Sequence, residues 1–214
     1  MTRKRLTREE SRDQTRHRLL DAAEKLIAKK GLTATSVEDI AEAAGYTRGA
    51  FYSNFGGKHD LFIELLRRDH KQATDELQAL LAEEIPIDQL QARTRDVYSQ
   101  LYRDNECFLN WTEARMAAAR DAKFRAKLSA LMQEKREQIA TFIGAFYARL
   151  GVEPPGSPET IAMGFMSLVE GVTLFMLSTP QDMTAKQAET ILAMFVDSLM
   201  ELAVMKAKTA GTLK

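Results

Sequence analysis

Cysteine and net charge are nearly absent from this sequence. Cys107 is the single cysteine in 214 residues, which excludes an internal disulfide and fits a reducing cytoplasm. The 30 basic and 30 acidic residues cancel, so the chain as a whole lacks the charge of a generally basic nucleic-acid-binding protein. The first residues are charged throughout and contain no apolar signal segment. With 45% hydrophobic and 28% charged residues, we therefore expect a globular cytoplasmic protein.

The motifs of common enzyme classes are also missing. No Walker A loop, Gly-x-Ser-x-Gly elbow or dinucleotide fingerprint occurs. His17, His59 and His70 are scattered and lack metal-ligand spacing with Cys107. Cys107 follows Glu106, whose negative charge disfavours a reactive thiolate. The sequence therefore predicts a protein that is not an enzyme and that has no metal site and no cofactor.

The stretch TSVEDIAEAAGYTRGAFYSNFGGK, residues 35–58, predicts two short helices joined by a tight turn. Ser36 is a good N-cap for the first helix, and Gly45 suits a left-handed residue at its end. Thr47 can cap a second helix that starts at Arg48. This order is typical of a helix-turn-helix, in which the second helix lies in a DNA major groove.

The second helix has two distinct faces. Phe51 and Phe55 are expected to point into a core, while Tyr52 and Asn54 are expected to point their polar tips outward. Arg48 stands beside two small residues, which would let the backbone approach a surface closely. The first turn of this helix is therefore the predicted reading surface.

These residues resemble the TetR family of bacterial transcriptional regulators. The resemblance is carried by Thr35-x4-Ile40-Ala41-x2-Ala44-Gly45, then Thr47-x-Gly49-x-Phe51-Tyr52-x-x-Phe55-x-x-Lys58-x-x-Leu61. Asn54 departs from the pattern, since family members often carry His or Tyr there. The resemblance implies an all-α fold, with an N-terminal three-helix bundle for DNA binding and a larger helical domain for ligand binding and dimerisation.

The resemblance also implies which residues contact DNA. The expected phosphate contacts are Thr35, Ser36, Thr47, Tyr52, Asn54 and Lys58. The expected base contacts are Arg48, Gly49 and Ala50. Arg48 suits guanine and Ala50 suits a thymine methyl group. Ser36 and Thr47 can equally be caps only, and Tyr52 can be mostly packing.

Positive charge is concentrated at the N-terminus. Residues 1–18 contain seven basic and three acidic side chains. Residues 1–10 are expected to be a flexible arm, followed by a helix over 11–30 that Gly31 ends. A solubilising tail is the alternative for such an arm, but beside a helix-turn-helix, attraction to phosphates is the better interpretation.

The rest of the chain predicts further helices and no strand. We expect an arm and DNA-binding domain at 1–57, a linking helix at 58–81, an effector-binding and dimerisation domain at 82–206 and a flexible tail at 207–214. Helices are predicted near 88–105, 107–119, 122–150, 158–178 and 185–206. Pro86 and the connector GVEPPGSP provide the clearest breaks.

The segment 161–179 raises the question of a membrane helix, because Glu170 is its only charged residue. A carboxylate in mid-membrane costs about 2.5–3.5 kcal/mol, and no basic cluster flanks the segment. We therefore predict no membrane contact and a helix buried on two sides. Together with the last helix, it would form a four-helix dimer interface through 158–178 and 185–206, which is also the usual arrangement in the family.

The resemblance further implies a small-molecule pocket in the second domain. The candidate lining residues are Tyr102, Phe108, Trp111, Met116, Phe142, Met166 and Glu170. Aromatic and methionine side chains at helical spacing are more often core than pocket. Glu170 could bind a cationic ligand, pair with an arginine across a dimer interface or be partly exposed, because an unpaired buried carboxylate is expensive. The expected effector is lipophilic.

Two functions of different classes fit these features. The first is a homodimeric, sequence-specific transcriptional repressor that binds a palindromic operator and is released by a small-molecule effector. The second is a DNA-associated interaction module with weak sequence preference, whose helical domain binds a protein or lipid. Selection from random duplexes separates the two, since only the first enriches a palindrome.

Overall fold

The computed structural model describes residues 7–83, 85–100 and 105–212, and the regular elements in these ranges are all α-helices. They are α1 (Arg8–Ala34), α2 (Val37–Ala43), α3 (Arg48–Tyr52), α4 (Lys58–Ala82), α5 (Ile87–Gln100), α6 (Asn105–Arg120), α7 (Ala122–Arg149), α8 (Pro158–Ser178) and α9 (Ala185–Ala210). The predicted all-α fold is confirmed. From α4 onward, the predicted and observed helix bounds agree to within a few residues. Residues 101–104 of the predicted helix 88–105 lie outside the described chain.

Side-chain caps explain where the short helices begin. Ser36 Oγ accepts the Asp39 N–H at 3.0 Å, and the Asp39 carboxylate accepts the Ser36 N–H at 2.9 Å. Thr47 Oγ1 accepts the Ala50 N–H at 3.2 Å. Each hydroxyl satisfies a backbone donor that a helix start leaves without an intrahelical partner. The predicted caps of α2 and α3 are confirmed.

Helix α1 begins earlier than the sequence analysis predicts. Thr7 Oγ1 accepts the Glu10 N–H at 3.1 Å, and the Glu10 carboxylate accepts the Thr7 N–H at 2.7 Å. The prediction of a flexible arm over residues 1–10 is therefore wrong for residues 7–10, because this capping box starts the helix at Arg8. Residues 1–6 lie outside the described chain. Gly31, with φ 81° and ψ 160°, interrupts the helix as predicted.

The first of two compact units contains the described residues up to Asp69 together with Glu106–Ser129. Helix α1 packs on α2, and α2 packs on α3. Phe62 of α4 and Phe124 of α7 are fully buried and stack with their ring centroids 5.7 Å apart. Burial of each such side chain stabilises the unit by about 1.5–3 kcal/mol. The roles expected for the four sequence segments stay a prediction, because the division into two compact units does not show what each segment does.

The second unit contains the described residues of His70–Asn105 and Ala130–Lys214. Helices α5 and α8 both pack on α9. The prediction of a flexible tail is wrong for residues 207–212, because α9 continues to Ala210 with Ala207 fully buried. Gly211 then adopts a left-handed conformation with φ 72°, and Thr212 Oγ1 donates to the Leu150 carbonyl at 2.9 Å. Residues 213–214 lie outside the described chain.

Helix α8 is long and apolar enough to cross a membrane by length and composition, and 28% of its apolar window is buried. Its buried residues are Ala162, Phe165, Met166, Val172 and Thr173. Elsewhere on the helix, Leu174 and Phe175 are 54% and 57% exposed. The predicted burial on two sides is therefore found on one side only within a single chain.

Candidate nucleic-acid interface and ligand cavity

The turn between α2 and α3 has the geometry expected from Gly45. This residue has φ 76°, a conformation that a side chain would strain. The Tyr46 N–H donates to the Ala41 carbonyl at 2.8 Å, and the Gly45 N–H donates to the Glu42 carbonyl at 2.9 Å. These two bonds form a Schellman motif, which ends α2 and redirects the chain into α3.

Helix α3 is anchored by two phenylalanines. Phe51 and Phe55 are 0% and 4% exposed, and their ring centroids are 5.7 Å apart. The guanidinium carbon of Arg16 lies 4.5 Å from the centre of the Phe55 ring. Arg16 also donates to the Asn54 carbonyl and pairs with Glu64. Arg16, one of the seven N-terminal basic residues, therefore fixes the chain that follows α3 inside the first unit.

The exposed first turn of α3 contains Arg48, Gly49 and Ala50, with Tyr52 one turn later. The Arg48 side chain is 65% exposed, and its Nη1 lies 3.0 Å from Glu38 Oε1 of α2. Its guanidinium carbon is 5.5 Å from the centre of the Tyr52 ring, and Tyr52 is 48% exposed. A single long cationic donor beside two small residues suits close approach to base edges in a major groove.

Two of the predicted phosphate contacts are engaged inside the protein. Thr35 is fully buried, and its Oγ1 donates to the Gly31 carbonyl at 2.8 Å. Lys58 Nζ donates to the Leu32 carbonyl at 2.6 Å and to the Thr35 carbonyl at 2.7 Å. Burial lowers the pKa of Lys58. Both side chains therefore donate to carbonyls at the connection between α1 and α2, which they stabilise. They were expected to donate to phosphates instead.

Asn54 also departs from its expected orientation. Its Nδ2 donates to the Ala50 carbonyl at 2.8 Å, and its Oδ1 is buried with no hydrogen-bond partner among the described residues. The outward polar tip predicted for Asn54 is not found, because the amide folds back onto α3. Of the nine predicted DNA contacts, only Thr35 is buried, and the other eight lie at least partly at the surface.

Glu113 of α6 is a residue that the sequence analysis missed. Its Oε1 accepts the Leu32 N–H at 2.9 Å, directly after the break at Gly31. A Cβ added to Gly31 would lie 3.1 Å from the same oxygen. No local pattern links residues that are 81 positions apart, so only the tertiary structure brings this carboxylate to the end of α1.

The second unit contains an apolar cavity among α5, α7, α8 and α9. Its lining residues are Thr94, Ile139, Phe142, Ile143, Phe146, Tyr147, Phe165, Phe195, Val196, Leu199 and Met200. The two hydroxyl groups already have acceptors: Thr94 Oγ1 donates to the Leu90 carbonyl at 2.7 Å, and the Tyr147 hydroxyl donates to the Leu199 carbonyl at 2.8 Å. Burial raises the pKa of Tyr147, so its hydroxyl stays protonated. The lining therefore offers mainly apolar and aromatic contacts.

Of the six predicted ligand residues that the structure describes, only Phe142 lines this cavity. Phe108, Trp111 and Met116 belong to the first unit, where Phe108 is buried and Met116 is 46% exposed. Met166 and Glu170 belong to the second unit, where Met166 is buried and Glu170 is exposed. Tyr102 lies outside the described residues. The lining residues that were missed lie on buried helix faces, which periodicity alone does not separate from the surrounding core.

The fold and the exposed reading helix define a helix-turn-helix DNA-binding regulator of transcription. Residues 19–65 match the bacterial regulatory proteins of the tetR family, and residues 86–201 match the C-terminal part of the BetI-type transcriptional repressors. The chain therefore belongs to the TetR family of transcriptional regulators, which are not enzymes. The resemblance found in the sequence is confirmed.

Two curated relatives illustrate how the similarity is distributed. The chain is 46% identical to the regulator AcrR of Shigella flexneri over 61 residues, which is 28% of each protein. It is 26% identical to the regulator BetI of Vibrio atlanticus over 183 residues, which is 84% of this chain and 88% of BetI. The similarity to AcrR thus spans less than a third of that protein, whereas the similarity to BetI spans most of it.

Solved structures share the fold at lower identity. A TetR-family regulator from Rhodococcus sp. has a TM-score of 0.74 at 22% identity, covering 88% of this chain and 99% of that chain. A complex of SmeT with triclosan has a TM-score of 0.69 at 22% identity, covering 86% and 90%. A regulator from Saccharomonospora viridis in complex with choline has a TM-score of 0.67 at 22% identity, covering 86% and 96%.

Proposed function

We propose that this chain is a homodimeric cytoplasmic repressor that binds a palindromic operator and leaves it when a small apolar effector binds. The observation that carries the proposal is the exposed first turn of α3, where Arg48 is 65% exposed beside Gly49 and Ala50. The buried Phe51 behind this turn fixes its orientation. A rigid helix start that offers one forked donor is suited to reading a base step.

In this proposal, Arg48 donates to guanine O6 and N7, and Ala50 contacts a thymine methyl group. Ser36, Thr47 and Tyr52 contact phosphates from the edges of the motif. Ser36 and Thr47 keep their capping roles, since one hydroxyl oxygen can accept a backbone N–H while its proton is donated to a phosphate. Thr35, Asn54 and Lys58 support the DNA contacts indirectly, by stabilising the elements that carry them.

A second copy of the chain is the proposed occupant of the exposed apolar residues on α8 and α9. The most exposed of these residues are Met163, Leu174, Phe175, Met194 and Met205, each between 45% and 63% exposed. Gly164 and Gly171 have no atom within 4 Å of an added Cβ, so they leave room for a neighbouring helix. Apolar area of this kind on a DNA-binding regulator favours a dimer, because two reading heads are needed to match a palindrome.

The effector is proposed to bind in the cavity around Phe142. The described lining contains no charged side chain, and both of its hydroxyl groups are already hydrogen-bonded inside the protein. Such a lining binds apolar surface favourably, whereas a polar ligand group would be buried there without a hydrogen-bond partner. It therefore favours an uncharged aromatic molecule, of the kind that triclosan represents in the SmeT complex, over a cation such as choline.

Selection from random duplexes tests the DNA-binding half of the proposal. Enrichment of a palindrome is expected, and Arg48→Ala should then relax the preference at one symmetric pair of positions, at a cost of about 1–3 kcal/mol per site. Uniform binding of all duplexes would favour the interaction module with weak sequence preference instead. A thermal-shift screen with triclosan and choline tests the effector half, and a shift with choline alone would contradict the proposed ligand class.

A further inference from the structure

Arg48 forms an ion pair with an acidic neighbour within the protein. Glu38, in the first turn of α2, lies 3.0 Å from Arg48 Nη1, and the two side chains are 56% and 65% exposed. The capping of α2 does not need Glu38, because Ser36 and Asp39 form the capping box, and Asp39 also pairs with Lys30 at 2.7 Å. Among the described residues, Arg48 is the only partner of the Glu38 carboxylate.

We infer that Glu38 is a specificity-determining positioning residue, which holds Arg48 in position for a base and away from the phosphate backbone. The inference rests on the proposed function and adds a second residue to base recognition. Glu38 occupies one edge of the guanidinium, and the Tyr52 ring lies 5.5 Å from its central carbon. The guanidinium has five N–H donors, so those that do not face Glu38 stay available to a guanine.

The effect differs between operator and non-operator DNA. On a duplex with guanine at the right position, Arg48 can contact the base while it keeps its pair with Glu38. On other duplexes, the best acceptors for Arg48 are phosphate oxygens, and reaching them requires it to leave the carboxylate. The Glu38 carboxylate is also repelled by the phosphates. Glu38 therefore weakens non-operator binding more than operator binding.

The experiment compares Glu38→Gln with a matched control, Glu42→Gln. Glu42 lies on the same helix and is exposed, and no described ion pair joins it to Arg48. Each variant is measured by fluorescence anisotropy on the duplex that the unmodified protein enriches, and on that duplex with the guanine pairs at the Arg48 positions exchanged. Both substitutions are repeated in an Arg48→Ala background, and thermal unfolding checks that each variant is folded.

The ratio of interest is the affinity for the enriched duplex divided by the affinity for the exchanged duplex. Glu38→Gln should lower this ratio by about two- to fivefold per half-site, the range expected for an exposed ion pair. Glu42→Gln should raise both affinities together and leave the ratio unchanged. In the Arg48→Ala background, Glu38→Gln should have no effect on the ratio. Equal behaviour of the two variants, or an effect that persists without Arg48, overturns the inference while the proposed function stands. If the unmodified protein enriches no duplex, both are overturned.

Discussion

Lys58→Met isolates the hydrogen bonds at the start of α4. Methionine keeps an unbranched side chain of similar length but cannot donate to the carbonyls of Leu32 and Thr35, which Lys58 Nζ contacts at 2.6 Å and 2.7 Å. A hydrogen bond to a charged group contributes about 1.5–3 kcal/mol. Since Lys58 is only half-buried and water can replace part of the loss, we expect a destabilisation of about 1–2 kcal/mol for the pair.

Urea unfolding followed by Trp111 fluorescence measures this effect, because Trp111 is the only tryptophan and lies in the first unit. With a dependence of about 2 kcal/mol per molar urea, the middle of the usual range, the midpoint should fall by roughly 0.5–1 M. Lys29→Met is the matched control, since it removes the same charge from an exposed position of α1. An unchanged midpoint with a large loss of DNA affinity would refute this reasoning and return Lys58 to a direct phosphate contact.

Three further predictions concern other parts of the chain. Gly31→Ala should destabilise the first unit by about 1–3 kcal/mol in the same urea assay, because φ 81° with ψ 160° is accessible mainly to glycine, whereas Gly49→Ala should not. Burial lowers the pKa of His70 from 6.5 to about 4. The unfolded state therefore binds the extra proton between these values, and the free energy of unfolding should fall by up to about 3 kcal/mol as the pH drops from 6.5 to 4. Circular dichroism in urea at several pH values should show this slope, and His70→Gln should remove it; an equal slope in the variant would contradict the assignment. Phe175→Arg should shift the protein from dimer to monomer in analytical ultracentrifugation. Leu109→Arg, at an exposed apolar residue of α6, should leave the dimer unchanged. A monomeric unmodified protein would contradict the proposed dimer.

The elements that local chemistry specifies could be predicted from the sequence. Ser36 and Thr47 cap helices through residues three positions later, and Gly45 ends α2 through bonds that span no more than five residues. These contacts join residues that are close in sequence, so their pattern can be read along the chain. The same local rule also applies at Thr7, where a capping box starts α1 at Arg8, three residues before the predicted start.

The apolar cavity could not be predicted in the same way. Helical periodicity predicts which side of a helix is buried, but a core residue and a cavity residue have the same pattern along the sequence. Phe142 lines the cavity, whereas Met166 is buried elsewhere in the second unit. The difference depends on how side chains from four helices fill the space between them, which no single helix specifies.

By itself, the sequence determined the helical class, the reading motif and the family, because caps, turn residues and apolar spacing are local properties. Only the tertiary structure decided which polar side chains of the motif form hydrogen bonds inside the protein. Lys58 and Arg48 look equally available in the sequence, yet Lys58 is bound to carbonyls 23 and 26 residues away, whereas Arg48 stays exposed beside Glu38. A side chain's availability depends on the partners that folding brings within hydrogen-bonding distance, and for Lys58 those partners are distant in sequence.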